Sequence, residues 1–233
     1  MIKVERNIKS EKIQKAKEIL EKEKSKKSGE YNKAEVLDAL KYVFNNKCYI
    51  CENKKVTSYN IEHHKPHRDS SIDLKFQWEN LFLSCAHCNN IKSDKYENIL
   101  DCTKVEVDEL ISFRKKGSFA WDEKIEIEAL NSLDEVKETV DLLKKVYDGT
   151  TPMKKLEALN IRKELRRELQ KFINAINEYN ETDGADKEDA EMLIIRELKS
   201  NSPFAAFKRW IIRDNKEKLS KFLQENGIKC VTK

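Results

Sequence analysis

The sequence predicts an α+β protein, mostly helical, with a small metal-holding core in its first half and a helical C-terminal region. Three observations carry this. Two Cys-x-x-Cys knuckles, Cys48-Tyr49-Ile50-Cys51 and Cys85-Ala86-His87-Cys88, stand 33 residues apart. The stretch between them reads as strand, loop, strand, and a short helix follows. After Ser132 the chain runs as helical periods separated by Gly, Pro and Ser/Thr punctuation.

Taken in order, Ser10 to about Lys27 places Ile13, Ala16, Ile19 and Leu20 at helical spacing in a Lys/Glu background, and Ser28-Gly29 ends the pattern. A second helix is expected to bury Val36, Leu40, Val43 and Phe44, with Asn32 as its cap and Glu35 completing a capping box. Lys55 to His64 looks extended, residues 66–75 read as a polar loop, and Phe76 to Ser84 supplies the second strand. A short helix is expected from Cys85 or Ala86 to about Lys95. Residues 105–130 read as a connector with a turn near Gly117 and Trp121. Ser132 with Glu135 predicts another capping box, and Gly149 stops that helix. Thr151-Pro152 opens a helix striped by Leu165, Leu169, Phe172, Ile176 and Tyr179. A helix over about 186–199, one after Ser202-Pro203, and a last one closed by Gly227 complete the chain. The expected organisation is an N-terminal helical region (1–47), a zinc-bearing core (48–115) and a helical C-terminal region (116–233) that docks a partner.

Composition narrows the function classes. With 39% hydrophobic and 38% charged residues and few Gly or Pro, the composition fits a soluble, helix-rich protein and not a disordered one. No apolar run approaches the roughly 18 to 20 residues that span a bilayer, and the N-terminus lacks the apolar stretch of a signal peptide. The expected compartment is the cytoplasm. Thiols stay reduced there, so paired cysteines serve as metal ligands rather than disulfides. Cys102 and Cys230 stand alone and are expected to be small buried hydrophobes. The net charge of +4 decides little, but residues 1–33 hold eleven Lys or Arg against six Glu, a net of +5. Such an arm would attract phosphate. Lys and Glu on a solvated helix face account for it equally well.

Four thiolates from two tight turns suit Zn²⁺. The expected ligands are Cys48, Cys51, Cys85 and Cys88, a site that contributes on the order of 10 kcal/mol to folding. A Cys₄ site is closed and leaves no position for water, so chemistry must come from elsewhere. Glu62 and Asn89 offer donors to a hard cation such as Mg²⁺ or Mn²⁺, and His63 can take a proton from water. Neighbours on an ideal strand face opposite ways. Glu62 and His63 therefore share a cleft only at a strand end or bulge, which Pro66 soon after makes plausible.

The series Cys-x-x-Cys, Glu-His-His-x-Pro, Asn-Leu and Cys-x-x-Cys-Asn-x-x-Lys resembles an HNH endonuclease of the ββα-metal type. The resemblance implies that His63 is the general base. It makes Glu62 and Asn89 the ligands of a single divalent metal, and Asn80 the residue that fixes the loop and orients the base. The four cysteines match the structural zinc of zinc-bearing members, and Lys92 matches a recurrent basic position that touches phosphate. Glu stands where Asp is commoner, and Asn89 where His is commoner, which leaves the preferred metal open. Across residues 30–115, the order Tyr-Ile-Cys-Glu, Ile-Glu-His-His-Lys-Pro and Trp-Glu-Asn-Leu-Phe-Leu-Ser-Cys-x-x-Cys-Asn-x-x-Lys is similar to the HNH subunits of Septu anti-phage systems and of certain retrons. There an ABC/SMC-like ATPase partner is encoded alongside. The implied substrate is nucleic acid, DNA ahead of RNA. The competing account is a non-catalytic zinc module that binds nucleic acid or a protein. His64 is expected to pack, and His67 and His87 to face solvent. Lys65, Arg68 and Lys95 flank the site.

Overall fold

A computed structural model describes residues 1–6, 9–67 and 71–231; Arg68, expected beside the site, lies outside them. Helix α1 (Glu11–Lys24) starts where the Ser10 hydroxyl accepts from the Lys12 amide, with Glu11 in its first turn and Lys22 and Lys24 in its last, charges that complement the helix dipole. It buries Ile13, Ala16 and Leu20 against α2 (Ala34–Val43), whose Val36, Leu40 and Val43 are buried as expected. The Asn32 capping box is not formed. Lys33 is the extended residue at that helix start, one position later, and no side chain caps it.

The knuckles bracket a two-stranded antiparallel sheet. Strand β1 (Tyr59–His63) pairs with β2 (Leu81–Cys85) so that Glu62 faces Phe82 and His63 faces Leu81. All five residues of β2 are buried. Helix α4 (Ala86–Lys92) leaves β2 directly, giving the expected strand, strand, helix order, but β2 starts at Leu81 rather than Phe76, because Phe76 ends a helix and Trp78–Asn80 form a 3-10 turn. The loop between the strands contains a short helix that the polar composition hid, α3 (Ile72–Phe76), opened by the Ser71 hydroxyl accepting from the Leu74 amide.

Residues 105–130 are more ordered than a connector. Helix α5 (Val107–Leu110) runs into β3 (Ile111–Lys116), which pairs with β4 (Lys124–Ala129) as a second antiparallel hairpin. Phe113 and Ile127 pair across it and are both buried. Helix α6 (Asp134–Asp148) has Leu133, not Ser132, at its cap position, again without a side-chain cap. Gly149 ends α6 at φ 73°, and a Cβ there would sit 2.4 Å from the Lys155 amide; only glycine permits so tight an entry into α7 (Pro152–Glu181). The Thr151 hydroxyl caps α7 as expected. Helices α8 (Gly184–Glu197), α9 (Ala205–Asp214) and α10 (Lys216–Glu225) follow.

One apolar core takes residues from all three segments: Leu20 and Leu40, then Leu83 and Ile91, then Val146, Leu165 and Trp210. A smaller cluster sits among α7, α8, α9 and α10 around Phe172, Ile194 and Phe222. Helix α9 is locked to the core by a buried ion group. Asp108 pairs with Arg209 at 3.2 Å and Arg213 at 2.8 Å, and the Trp210 indole donates to the Asp108 and Ile111 carbonyls. Among the described residues no helix is long and apolar enough to cross a membrane. Cys102 is buried as expected, but Cys230 is exposed, because the chain past α10 runs along the surface.

Candidate metal centre and adjoining cleft

The cysteine spacing folds into one cluster. Cys48 and Cys51 form a turn just after α2, Cys85 ends β2, and Cys88 lies one turn into α4. All four sulfurs fall within 4.8 Å of one another and are buried. Cys51 Sγ and Cys85 Sγ are 3.9 Å apart. Tetrahedral zinc with bonds of about 2.3 Å separates its sulfurs by about 3.8 Å. Donor chemistry and spacing therefore both fit a structural Zn²⁺.

Beside this cluster opens a cleft of about 640 Å³, lined by Glu62, His63 and Asn89 together with Tyr31, His67 and Asp94. The strand-end expectation holds, since His63 is the last residue of β1 and shares the cleft with its neighbour Glu62. His63 Nε2 is 3.0 Å from the Lys75 carbonyl. A carbonyl can only accept, so Nε2 carries the proton and Nδ1 is left with its lone pair. The imidazole is packed edge-on by Tyr31 and His67, each 4.5 Å away. Burial lowers its pKa to about 4 against the opposing pull of the Lys75 carbonyl, so the ring is neutral near pH 7.

Glu62 is buried. Its Oε2 accepts from the Tyr49 hydroxyl at 2.7 Å, and its Oε1 lies 2.5 Å from the Lys92 ammonium. Burial pushes the Glu62 carboxyl up to about 7, although Lys92 and Tyr49 both pull it down. Lys92 is not on the surface, where a phosphate contact would need it. Its side chain is 0% exposed and also donates to the His63 carbonyl at 2.9 Å. The reason is position: the last turn of α4 packs directly over β1. Asn80 is buried on the loop after β1. Its Oδ1 accepts from the Lys65 amide, while its Nδ2 donates to the Lys65 and Leu74 carbonyls. That single carboxamide ties three stretches of chain together next to His63.

The other histidines divide. His64 is buried against Phe82 with Nε2 3.4 Å from the Leu100 carbonyl, as the packing expectation had it. His67 is half-buried in the cleft wall, not loop surface. His87 does not face solvent. Its Nδ1 meets Glu157 at 2.7 Å and its Nε2 the Val146 carbonyl at 2.8 Å, because α6 and α7 cover that side of α4. Lys65 is exposed and does not line the cleft, and Lys95 lines a separate groove with Tyr96 and Glu138. Asp94 and Tyr31 went unremarked in the sequence. Tyr31 carried no motif, and Asp94 lies just past α4 in an ordinary charged stretch.

His64 yields a pH test. Burial lowers its pKa from 6.5 to about 4. The unfolded chain takes up a proton near 6.5, whereas the folded one resists until about 4. Stability is therefore intact above pH 6.5 and falls as pH drops toward 4, by about 2 kcal/mol at pH 5. Urea unfolding of wild type and His64→Gln at pH 7 and pH 5 should diverge by that amount, the wild type losing more. Other acid effects, such as thiolate protonation, cancel in the difference, and parallel curves would refute the assignment.

Fold and cluster together define a mixed α+β protein with a buried four-cysteine cluster that could hold a metal ion. The chain is similar to Septu protein PtuB of Bacillus mycoides (strain KBAB4), with 26% identity over 194 residues that cover 63% of this chain and 66% of the relative. It thus matches slightly less than two thirds of that relative's length, and the likeness supports a Septu-related protein. No family model and no solved structure matches the chain.

Proposed function

We propose that this chain is a metal-dependent nuclease of the HNH type, working in a Septu-like anti-phage defence system in the cytoplasm. The observation that carries the reading is the meeting of Glu62, His63 and Asn89 in one cleft beside the cysteine cluster. A zinc module that only binds has no need of them. Glu62 and Asn89 would hold the Mg²⁺ or Mn²⁺, a hard cation suited to their oxygens, and its chemistry there is to stabilise charge building on phosphate. His63 does the proton work. Its Nε2–H is held by the Lys75 carbonyl, so Nδ1 takes a proton from the attacking water. Water adds to phosphorus, the 3′ oxygen departs, and the product carries a 5′ phosphate. Asn80 keeps the loop behind His63 in place.

The substrate is nucleic acid, with DNA placed before RNA. An ABC/SMC-like ATPase is the proposed partner, docked on the C-terminal helices. Supporting this, α7 exposes Met153, Leu156 and Leu159 at three-residue steps, and the β3–β4 tip stacks Phe119 on Trp121, the latter 82% exposed. Apolar side chains grouped in this way on a surface favour contact with a protein. The test is cleavage of plasmid DNA and of cellular RNA by the chain, alone and co-purified with its neighbouring gene products, in Mg²⁺ or Mn²⁺. Cleavage that depends on the added metal supports the reading. No cleavage of either nucleic acid by the co-purified assembly would overturn it.

A further inference from the structure

We infer that Tyr49 and Lys92 are positioning residues that clamp the Glu62 carboxylate from two sides, so that the first zinc knuckle directly aims a ligand of the catalytic metal. This rests on the nuclease reading and adds to it how the two metal centres are joined.

The geometry is specific. Tyr49 lies inside the first knuckle, between Cys48 and Cys51. Its amide donates to the Leu83 carbonyl of β2 at 2.9 Å, and its ring packs 4.9 Å from Phe82. The phenol is thus fixed at both ends before it reaches Glu62 Oε2 at 2.7 Å. Lys92 comes from the opposite side, on the helix that begins at the second knuckle. Its ammonium meets Glu62 Oε1 at 2.5 Å and the carbonyl of His63 at 2.9 Å. Tyr49 is 2% exposed, Glu62 4% and Lys92 0%, so water does not compete for these bonds.

Each carboxylate oxygen has about two lone-pair directions. With one on each oxygen taken from the interior, the others are left for a metal, and Glu62 lines the same cleft as Asn89. The carboxylate can neither swing away nor rotate freely. A buried ion pair of this kind is weak evidence of stabilisation, since an apolar replacement is often neutral. Its use here is orientation. The same ammonium also holds the backbone of His63, so one side chain of α4 sets the positions of both chemical residues of β1.

Tyr49→Phe keeps the ring and removes one hydrogen bond. Partners that orient a metal ligand typically contribute 10- to 100-fold to metal affinity. The expected result is Mn²⁺ binding about tenfold weaker, read from free Mn²⁺ by electron paramagnetic resonance, with zinc content and far-UV spectrum unchanged. The Mn²⁺ concentration for half-maximal cleavage should rise in parallel while the rate at saturating Mn²⁺ stays near wild type. Lys92→Met should weaken Mn²⁺ binding at least as much; where it fails to fold, Tyr49→Phe decides alone. Glu62→Gln is the control. If wild type binds no Mn²⁺, or Glu62→Gln binds it unchanged, the nuclease reading fails and the clamp with it. If Glu62→Gln weakens binding but Tyr49→Phe does not, the clamp alone is wrong. A Tyr49→Phe protein that loses zinc or unfolds also counts against it, since the phenol would then be a folding element.

Discussion

Replacing Cys48 or Cys85 with Ser is expected to empty the four-sulfur centre and unfold the core of the protein. The four sulfurs converge within 4.8 Å from three separate elements: the turn after α2, the end of β2 and the first turn of α4. These same sulfurs lie in the main apolar core with Phe82, Leu83 and Tyr147. A structural zinc contributes on the order of 10 kcal/mol, while a whole domain is stable by only about 5 to 15 kcal/mol. Removing one ligand therefore takes away most of the margin. The measurement is zinc per chain by atomic emission beside thermal melting of wild type and variant, with chelator added to wild type as a second route to the same state. A well-folded variant free of zinc would show that the centre does not hold the fold.

Replacing His63 with Ala is expected to lower cleavage by about 10² to 10⁴-fold, the usual contribution of a positioned general base, while zinc and fold persist. The fold should survive because what His63 gives the architecture is backbone. Its main chain pairs with Leu81 across the sheet, and its carbonyl accepts from Lys92. Alanine keeps both. Among the described residues the imidazole meets the rings of Tyr31 and His67 and bonds the Lys75 carbonyl at the half-buried edge of the cleft. The assay is the initial rate of phosphodiester cleavage at saturating Mn²⁺, with melting temperature and zinc content measured on the same preparation. Cleavage at the wild-type rate would remove His63 from the mechanism. A variant that also lost zinc would show that the ring is structural.

The two experiments separate the two roles that the short segment between the knuckles combines. The first removes the scaffold and should take activity with it. The second removes only the proposed proton acceptor. The pH of the cleavage assay matters for a related reason: burial keeps His63 neutral well below its ordinary range, with a pKa of about 4. Loss of the base to protonation should therefore begin further toward acid than a solvent-exposed histidine would predict.

Much of the candidate site's arrangement was legible in the chain because it is encoded by short spacing. Two Cys-x-x-Cys turns can bring four sulfurs together once a hairpin joins them, and the apolar run before Cys85 is that hairpin's inner strand. Gly149 and Thr151-Pro152 marked helix ends because their backbone preferences act within a few residues. The β3–β4 hairpin was harder. Ile125 and Ile127 do alternate with Glu126 and Glu128, but Ser112 is buried in the partner strand, which breaks the pattern. The two missed caps have a similar origin. Asn32 and Ser132 are each one residue too early, because the chain stays extended through Lys33 and Leu133.

What the sequence by itself determined is the inventory: four thiols paired by spacing, a carboxylate beside an imidazole at the end of a strand, and helices bounded by their own punctuation. Only the tertiary structure decided which of these groups meet water. Lys92 turns inward onto Glu62, and His87 is covered by Glu157, 70 residues further along the chain. Capping and turn preferences are local and can be read from neighbours in the chain. Burial depends on what packs above a residue, and that is settled by elements far from it in sequence.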